Sequence, residues 1–423
     1  MSTRRRDQGQ AAIFLTLTLI PVLGLLGLAV DVGWASWRQE AAKNAAQAAV
    51  IAAAVAASNL SLTCGTGGVT CQGPTACPVT LNRPTDPVQA ACLYAQSNGF
   101  TNGGNSGRQS VKIAADLYAN THPPVSGYVP TYWISATVSE SIPATFGAVL
   151  GLGGLNPSAR ATAGVFSSGG GCIYTLEPTN TGMTMSGGAI SSNCGVYIDS
   201  SSSSAVVMSG GTITTSGGAK TNVNGNVQSS GGTISPAWVH GPSQPDPFAS
   251  LSAPSTSGTC VDSGRSFSSG TNTLSSGKHC GFISISGGTV TLGQGMHIFE
   301  NGFNISGGTV SNAAGGVTLY FDGVGGLNMS GANITLTPQT TGAYKGMLIF
   351  YNRTNNAGLN MSGGGLNLTG AVYAKASTYN ASGGTFTNTT FVVNQWNQSG
   401  GGTLTINGSA QTNFTGTTVS FIE

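Results

Sequence analysis

Apolar positions run without a charge from Ala11 to Val30, directly behind Arg4, Arg5 and Arg6. A bilayer core of roughly 30 Å needs about 20 apolar residues in an α-helix, so this run is long enough for one crossing. Basic residues beside a first span tend to stay in the cytoplasm, and the far flank (Asp31, Arg38, Glu40, Lys43) carries no net charge. The predicted orientation therefore places residues 1–9 inside and everything after Trp34 outside. A cleaved signal peptide shares the basic start, but its apolar region is about 7–15 residues long and ends at a small-residue cut site. Here helix-favouring residues continue through RQEAAKNAAQAAVIAAAVAAS to Ser58. The expected element is a retained transmembrane helix over 10–58, whose Ala-rich extension packs outside the bilayer. Asp31 ends the apolar run and is expected at the outer headgroup level, where a carboxylate costs less than in hydrocarbon.

Between 59 and 166 the pattern predicts a small α/β region. Val88, Cys92 and Ala95 recur at helical spacing behind Pro87 and before an Asn-Gly stop. Val111–Ala114, Tyr132–Val138 and Ala159–Phe166 read as strands, and SIPATFGAVLGLGG as a short apolar helix.

From 167 to 423 the pattern changes to Ser-Gly-Gly-x-hydrophobic units beginning at Ser186, Ser209, Ser230, Ser286, Ser306, Ser362 and Ser382, with variants at Ser330 and Ser399. A repeat of about 20 residues carrying turn glycines and short alternating strands is what an all-β parallel β-helix (β-solenoid) needs. A flexible Gly/Ser linker would lack the periodic aliphatics. Five prolines between Pro236 and Pro254 mark a connector or break.

Charge sharpens this picture. Residues 167–423 hold seven acidic and six basic side chains, where an ordinary soluble surface has about a quarter of its residues charged. Ser, Thr, Asn and Gly must supply the wettable face, and no basic stripe points to nucleic acid. Parallel β-helices host carbohydrate-active enzymes, but the acids here form no DxD or DD pair, so no catalytic residue, cofactor or metal is assigned. His279 beside Cys280 is expected to be an exposed turn residue, and His122, His240 and His297 have no ligand-like spacing. Asn-x-Ser/Thr sites at Asn304, Asn333, Asn367 and Asn413 are read as stacked turn residues. Thr-x-Thr steps at Thr212, Thr289, Thr335 and Thr403 raise a threonine ladder able to order water or bind ice, against which stand their irregular intervals.

Neighbouring coils lie about 4.8 Å apart, within the Cα separation a disulfide bridges. Cys172 with Cys194, and Cys260 with Cys280, fit adjacent coils. Cys64, Cys71, Cys77 and Cys92 are further candidates whose pairing stays open. All eight fall on the oxidising side, and none forms a CxxC zinc pattern.

The opening segment, with its GQ-A entry, LAVDVG at the end of the span and the NAA-Q-AA-x-AAA run behind it, resembles the TadE/TadG-like proteins of Flp (tight adherence) pilus assembly. The pieces GCIYTLEP, QPDPFASLSAP and TPQTTGAYKGMLIFYNR are similar to sequence found in TadG-like chains. Pilins cut by a prepilin peptidase carry Gly at the cut and Glu five residues on; Gly9 supplies the first, but Phe14 stands at the second, which favours the TadG branch. The resemblance implies a non-catalytic, single-pass inner-membrane protein whose bulk is periplasmic or extracellular. Its implied partners are other pilus-assembly or pilin subunits, with surface polysaccharide as a candidate contact. The alternatives are a membrane-tethered polysaccharide-active β-helix enzyme and a sugar- or ice-binding adhesin.

Overall fold

The computed structural model describes residues 7–81, 85–151, 153–168, 171–363, 365–387, 389–408 and 416–423. Arg4, Arg5 and Arg6, and the site at Asn413, lie outside the described residues. Two compact units emerge: Met1–Phe166 with Thr417–Glu423, and Ser167–Gly416.

The first unit is organised by one helix, α1 (Asp7–Ser58), continuous through Pro21. Its two halves differ as the sequence pattern requires. From Phe14 to Trp37 most large apolar side chains are exposed, whereas Ala42, Ala45, Ala46, Ala49, Val50, Ala53, Ala54 and Ala57 are fully buried. Alanine at these spacings gives a smooth face on which α2 (Pro87–Ser97) and a sheet pack closely. Helix α2 starts where Asp86 accepts a hydrogen bond from the Gln89 N–H and Pro87 occupies the first turn, a position that needs no donor.

The sheet orders Gln72–Ala76, Gln109–Leu117, Tyr132–Glu140, Ser158–Ser168 and Gly416–Phe421. The antiparallel register pairs Ile113 with Ala136 and Ala136 with Ala161, setting alternate residues against α1. The segment read as a short apolar helix forms only a single 3₁₀ turn, Gly147–Leu150. The last strand also departs from the sequence reading, which runs the Ser/Gly-rich array to residue 423. Thr162 exchanges backbone hydrogen bonds with Ile422 and Glu423, and Arg160 pairs with the Glu423 carboxylate at 3.0 Å.

The second unit is almost wholly β, with a 27-stranded sheet of parallel pairings among the described residues. Over most of it a strand pairs with the strand three further along the chain. Thr271–Leu274 meets Thr289–Leu292, which meets Thr309–Asn312 and then Asn333–Leu336. Inward positions stack like on like: Val290 on Val310 on Ile334 on Leu366, and Ile285 on Ile305 on Met329 on Met361. Burying such columns supplies the main favourable free energy of the array, roughly 25 cal/mol per Å² of apolar surface. The Ser-Gly-Gly units at Ser286 and Ser306 lie between successive strands, whereas those at Ser186 and Ser209 fall inside the long strands Met183–Ser192 and Val206–Thr215. At Gly287 and Gly307 a Cβ would strike the carbonyl of the preceding layer, and at Gly288 and Gly308 φ is positive, so both glycines are required by geometry.

The pairing order is not the chain order. Gly171–Thr175 and Met183–Ser192 pair with Phe391–Gln398 and Thr403–Asn407, so the first strands of this unit stack on its last. The proline-rich connector crosses an outer aromatic stripe that includes Tyr320, Phe350 and Tyr373. Arg353 donates to the carbonyls of Phe248 (2.8 Å) and Leu251 (2.6 Å), Tyr373 donates to Asp246 (2.8 Å), and the Gln244 N–H donates to Asp199 (2.9 Å).

Outward positions form polar columns. Asn328 donates to Asn304 (2.6 Å), Asn380 to Asn360 (2.7 Å) and Asn397 to Asn380 (3.1 Å), a ladder in register along one face. On the next face Thr273, Thr291, Ser311, Thr335 and Asn367 stand opposite one another in turn. The uneven intervals between Thr-x-Thr steps therefore do not break the column, because the extra residues are absorbed in the turns.

Candidate membrane and assembly interface

The carboxylate that ends the apolar run is bound inside its own unit. Asp31 accepts from the backbone N–H groups of Thr145 (3.3 Å), Phe146 (3.0 Å) and Gly147 (2.8 Å), capping the 3₁₀ turn that begins there. One turn earlier on the helix, a Cβ at Gly27 would collide with the Phe146 ring. Gly27 and Asp31 thus hold the apolar segment around Phe146 against α1, and the LAVDVG pattern has a local purpose in addition to ending the apolar run. A carboxylate suits this position, because the free N–H groups that open a helical turn carry partial positive charge.

A second polar knot lies one to two turns further on. Arg38 forms an ion pair with Glu140, which also accepts from Asn105 (2.7 Å) and Gln109 (3.4 Å). The Arg38 guanidinium stacks over Phe100, 4.4 Å from the ring centre, and lies 5.5 Å from Trp37. Glu140 is 4% exposed, so its charge is held by partners instead of water. Gln39 and Ser158 exchange two hydrogen bonds, 2.6 and 2.8 Å, that fix the helix to the start of the strand Ser158–Ser168. Sequence reasoning counted Arg38 only among the flanking charges and did not single out Glu140, 102 positions away. An acid closing an otherwise uncharged strand was the available signal.

All eight cysteines form disulfides: Cys64–Cys71, Cys77–Cys92, Cys172–Cys194 and Cys260–Cys280, with Cα separations of 5.5–5.7 Å. The latter two staple the second unit's layers.

Histidine is where the sequence reading needs correction. His279, expected on an exposed turn, is fully buried, as is His297. The side chains line up Asp262, His279, His297 and the Gly293 carbonyl, with contacts of 2.7, 3.2 and 2.8 Å. Register accounts for this, since neighbouring strands set position 279 of Gly277–His279 beside Phe299 and His297 beside Gly277. The Gly293 carbonyl can only accept, which places the His297 proton on Nε2 and leaves Nδ1 to accept from His279. Burial pushes the His297 pKa down to about 4, so its imidazole is neutral at ordinary pH. The chain of contacts ends on a backbone carbonyl, and both rings stack on Phe299, as packed core groups do. Asp199 shows the opposite shift. Burial raises its carboxyl to about 7, against the pull of the Gln244 N–H.

Among the described residues one helix is long and apolar enough to cross a membrane, Leu17–Ser58, and its apolar part is mostly exposed. An exposed apolar rod of this length is compatible with a single-pass membrane anchor. Residues 9–56 match the family of Flp pilus-assembly TadE/G-like proteins. The matched segment covers α1 almost end to end, including Gly27, Asp31 and most of the buried alanines. The match covers this segment and not the rest of the chain. No curated protein and no solved structure matches the chain.

Proposed function

We propose that this chain is a single-pass structural component of Flp/Tad pilus assembly, anchored in the inner membrane with residues 1–9 in the cytoplasm and the remainder outside. The observation that carries the reading is the coincidence of the family match with α1, half exposed apolar rod and half core of the first unit. The 10–58 helix serves as anchor and stalk, the 59–166 region with the terminal strand as the body that packs on the stalk, and the array of the second unit as a β-solenoid whose strands recur every turn. Four disulfides suit an oxidising compartment, where a nearly uncharged surface cannot rely on ion pairs for rigidity. The scattered acids support a mechanical role over hydrolysis. A second reading, attachment to neutral surface polysaccharide, is favoured by the charge-free Asn and Thr columns, and a glycan array with the purified protein tests it.

The topology is tested with single cysteines introduced at exposed Ser203 and at Ser2, and a membrane-impermeant maleimide. Ser203→Cys should label in spheroplasts and Ser2→Cys only after lysis; the reverse pattern overturns the orientation. Co-purification from detergent extracts should recover pilus-assembly components, and their absence under mild extraction would count against the assembly role.

A further inference from the structure

A recess of about 630 Å³ opens beside the outer end of the apolar rod, walled by Asp31, Trp34, Arg38, Arg108, Glu140 and Phe146. We propose that it holds the phosphodiester group of a membrane phospholipid, bound by Arg108. This rests on the anchor reading, because the recess then lies at headgroup depth.

The charges in the recess are unevenly satisfied. Asp31 is saturated by three backbone N–H groups, and Glu140 by Arg38, Asn105 and Gln109. Arg108 is left over: among the described residues its guanidinium has neither an ion pair nor a hydrogen-bond partner, and it is exposed. A guanidinium presents a planar fork of donors that matches phosphate oxygens in pairs.

Backbone geometry supplies an independent observation. Arg108 follows a turn in which Asn105 (φ 47°, ψ 52°) and Ser106 (φ 60°, ψ 41°) both take left-handed conformations, which asparagine adopts more readily than serine. Two such residues in succession persist only where their surroundings over-determine them, as at ligand sites. Here the Asn105 amide is tied to Glu140, so the strained turn presents Arg108 at the mouth of the recess.

Surrounding apolar groups fix the ligand as a lipid and not free phosphate. Trp34, Trp37 and Phe146 are 53%, 56% and 49% exposed, an aromatic belt suited to the headgroup layer. The exposed leucines and valines from Leu15 to Val30 continue below it as a surface for the acyl chains. A lipid would thereby satisfy in one molecule both the unpaired cation and the apolar wall beneath it.

The test uses full-length protein extracted in mild detergent and examined by native mass spectrometry. It is titrated with phosphatidylethanolamine, with phosphatidylglycerol, or with inorganic phosphate alone. Wild type should retain phospholipid, Arg108→Gln should bind it about tenfold more weakly, and Arg108→Lys should recover part of the loss. Ala144→Trp, which fills the recess and leaves Arg108 in place, should lose lipid as well. Equal retention by wild type, Arg108→Gln and Ala144→Trp overturns the proposal, as does uptake of inorganic phosphate without phospholipid. Carbonate extraction of wild-type membranes separates the two levels: protein released to the supernatant defeats the anchor reading itself, whereas protein kept in the membrane with unchanged lipid retention in the variants defeats only this site.

Discussion

Replacing Asp199 by Asn should reverse its effect on stability between acid and alkaline pH. Asp199 is 7% exposed, and burial raises its carboxyl from the ordinary 3.8 to about 7. The folded protein therefore keeps a proton that the unfolded chain releases. Its favourable contribution is full below pH 3.8 and is lost as pH rises to 7. A shift of about three units corresponds to roughly 4 kcal/mol, an upper limit that assumes an unperturbed unfolded state. The amide oxygen of the substituted side chain would still accept from the Gln244 N–H, but one new amide donor is left buried, at a cost of about 1–3 kcal/mol. The net result is a gain of about 2 kcal/mol at about pH 8 and a loss of similar size at about pH 3. Thermal unfolding of the detergent-solubilised chain, followed by circular dichroism at both pH values, measures the difference. A mutational effect of the same sign and size at both ends of the range would refute the argument, because a packing defect alone does not titrate.

Other outcomes follow from neighbouring features. His297→Gln should remove an acid-sensitive step of opposite sign, since a histidine lowered to about 4 contributes stability that is full above pH 6.5 and lost as pH falls to 4, up to about 3 kcal/mol; a pH series of unfolding midpoints checks it. Asp31→Ala should leave the N–H groups of Thr145, Phe146 and Gly147 without their acceptor, and hydrogen exchange across 142–150 should accelerate while exchange in α2 stays unchanged. Replacing Cys172 and Cys194 together by Ser should destabilise the second unit by about 3 kcal/mol, from the loop of 22 residues they close, measured as a lower denaturant midpoint. Tyr379→Phe should be neutral or stabilising by about 1 kcal/mol in the same assay, because the Tyr379 hydroxyl is buried with no hydrogen-bond partner among the described residues.

Much of this architecture is written locally and is readable as such. The N-terminal helix, α2 and the strands around Val111, Tyr132 and Ala159 follow from periodicity and caps, because each element's pattern reports its own burial. The Ser-Gly-Gly units likewise announce turns at which two glycines are compulsory. What escapes reading is non-local. His279 and His297 look exposed because nothing near them in sequence shows which layer will cover them. Glu140 finds Arg38 across more than a hundred residues, and Asp31 is satisfied by an apolar segment that its own surroundings do not reveal. The terminal strand reads as part of the array because the composition continues there, yet composition does not specify which sheet offers a free edge.

The stacking of Gly171–Thr175 and Met183–Ser192 onto Phe391–Gln398 and Thr403–Asn407 places an order on biogenesis. A ribosome makes the first of these strands about two hundred residues before their partners, and until then one side of each has unfilled hydrogen-bonding groups and uncovered Met183, Met185 and Ile190. Such an open template is the kind that recruits a neighbouring chain. The array therefore needs a waiting period shielded from other copies, and a nascent protein stalled before residue 391 should be the form that a holding chaperone engages.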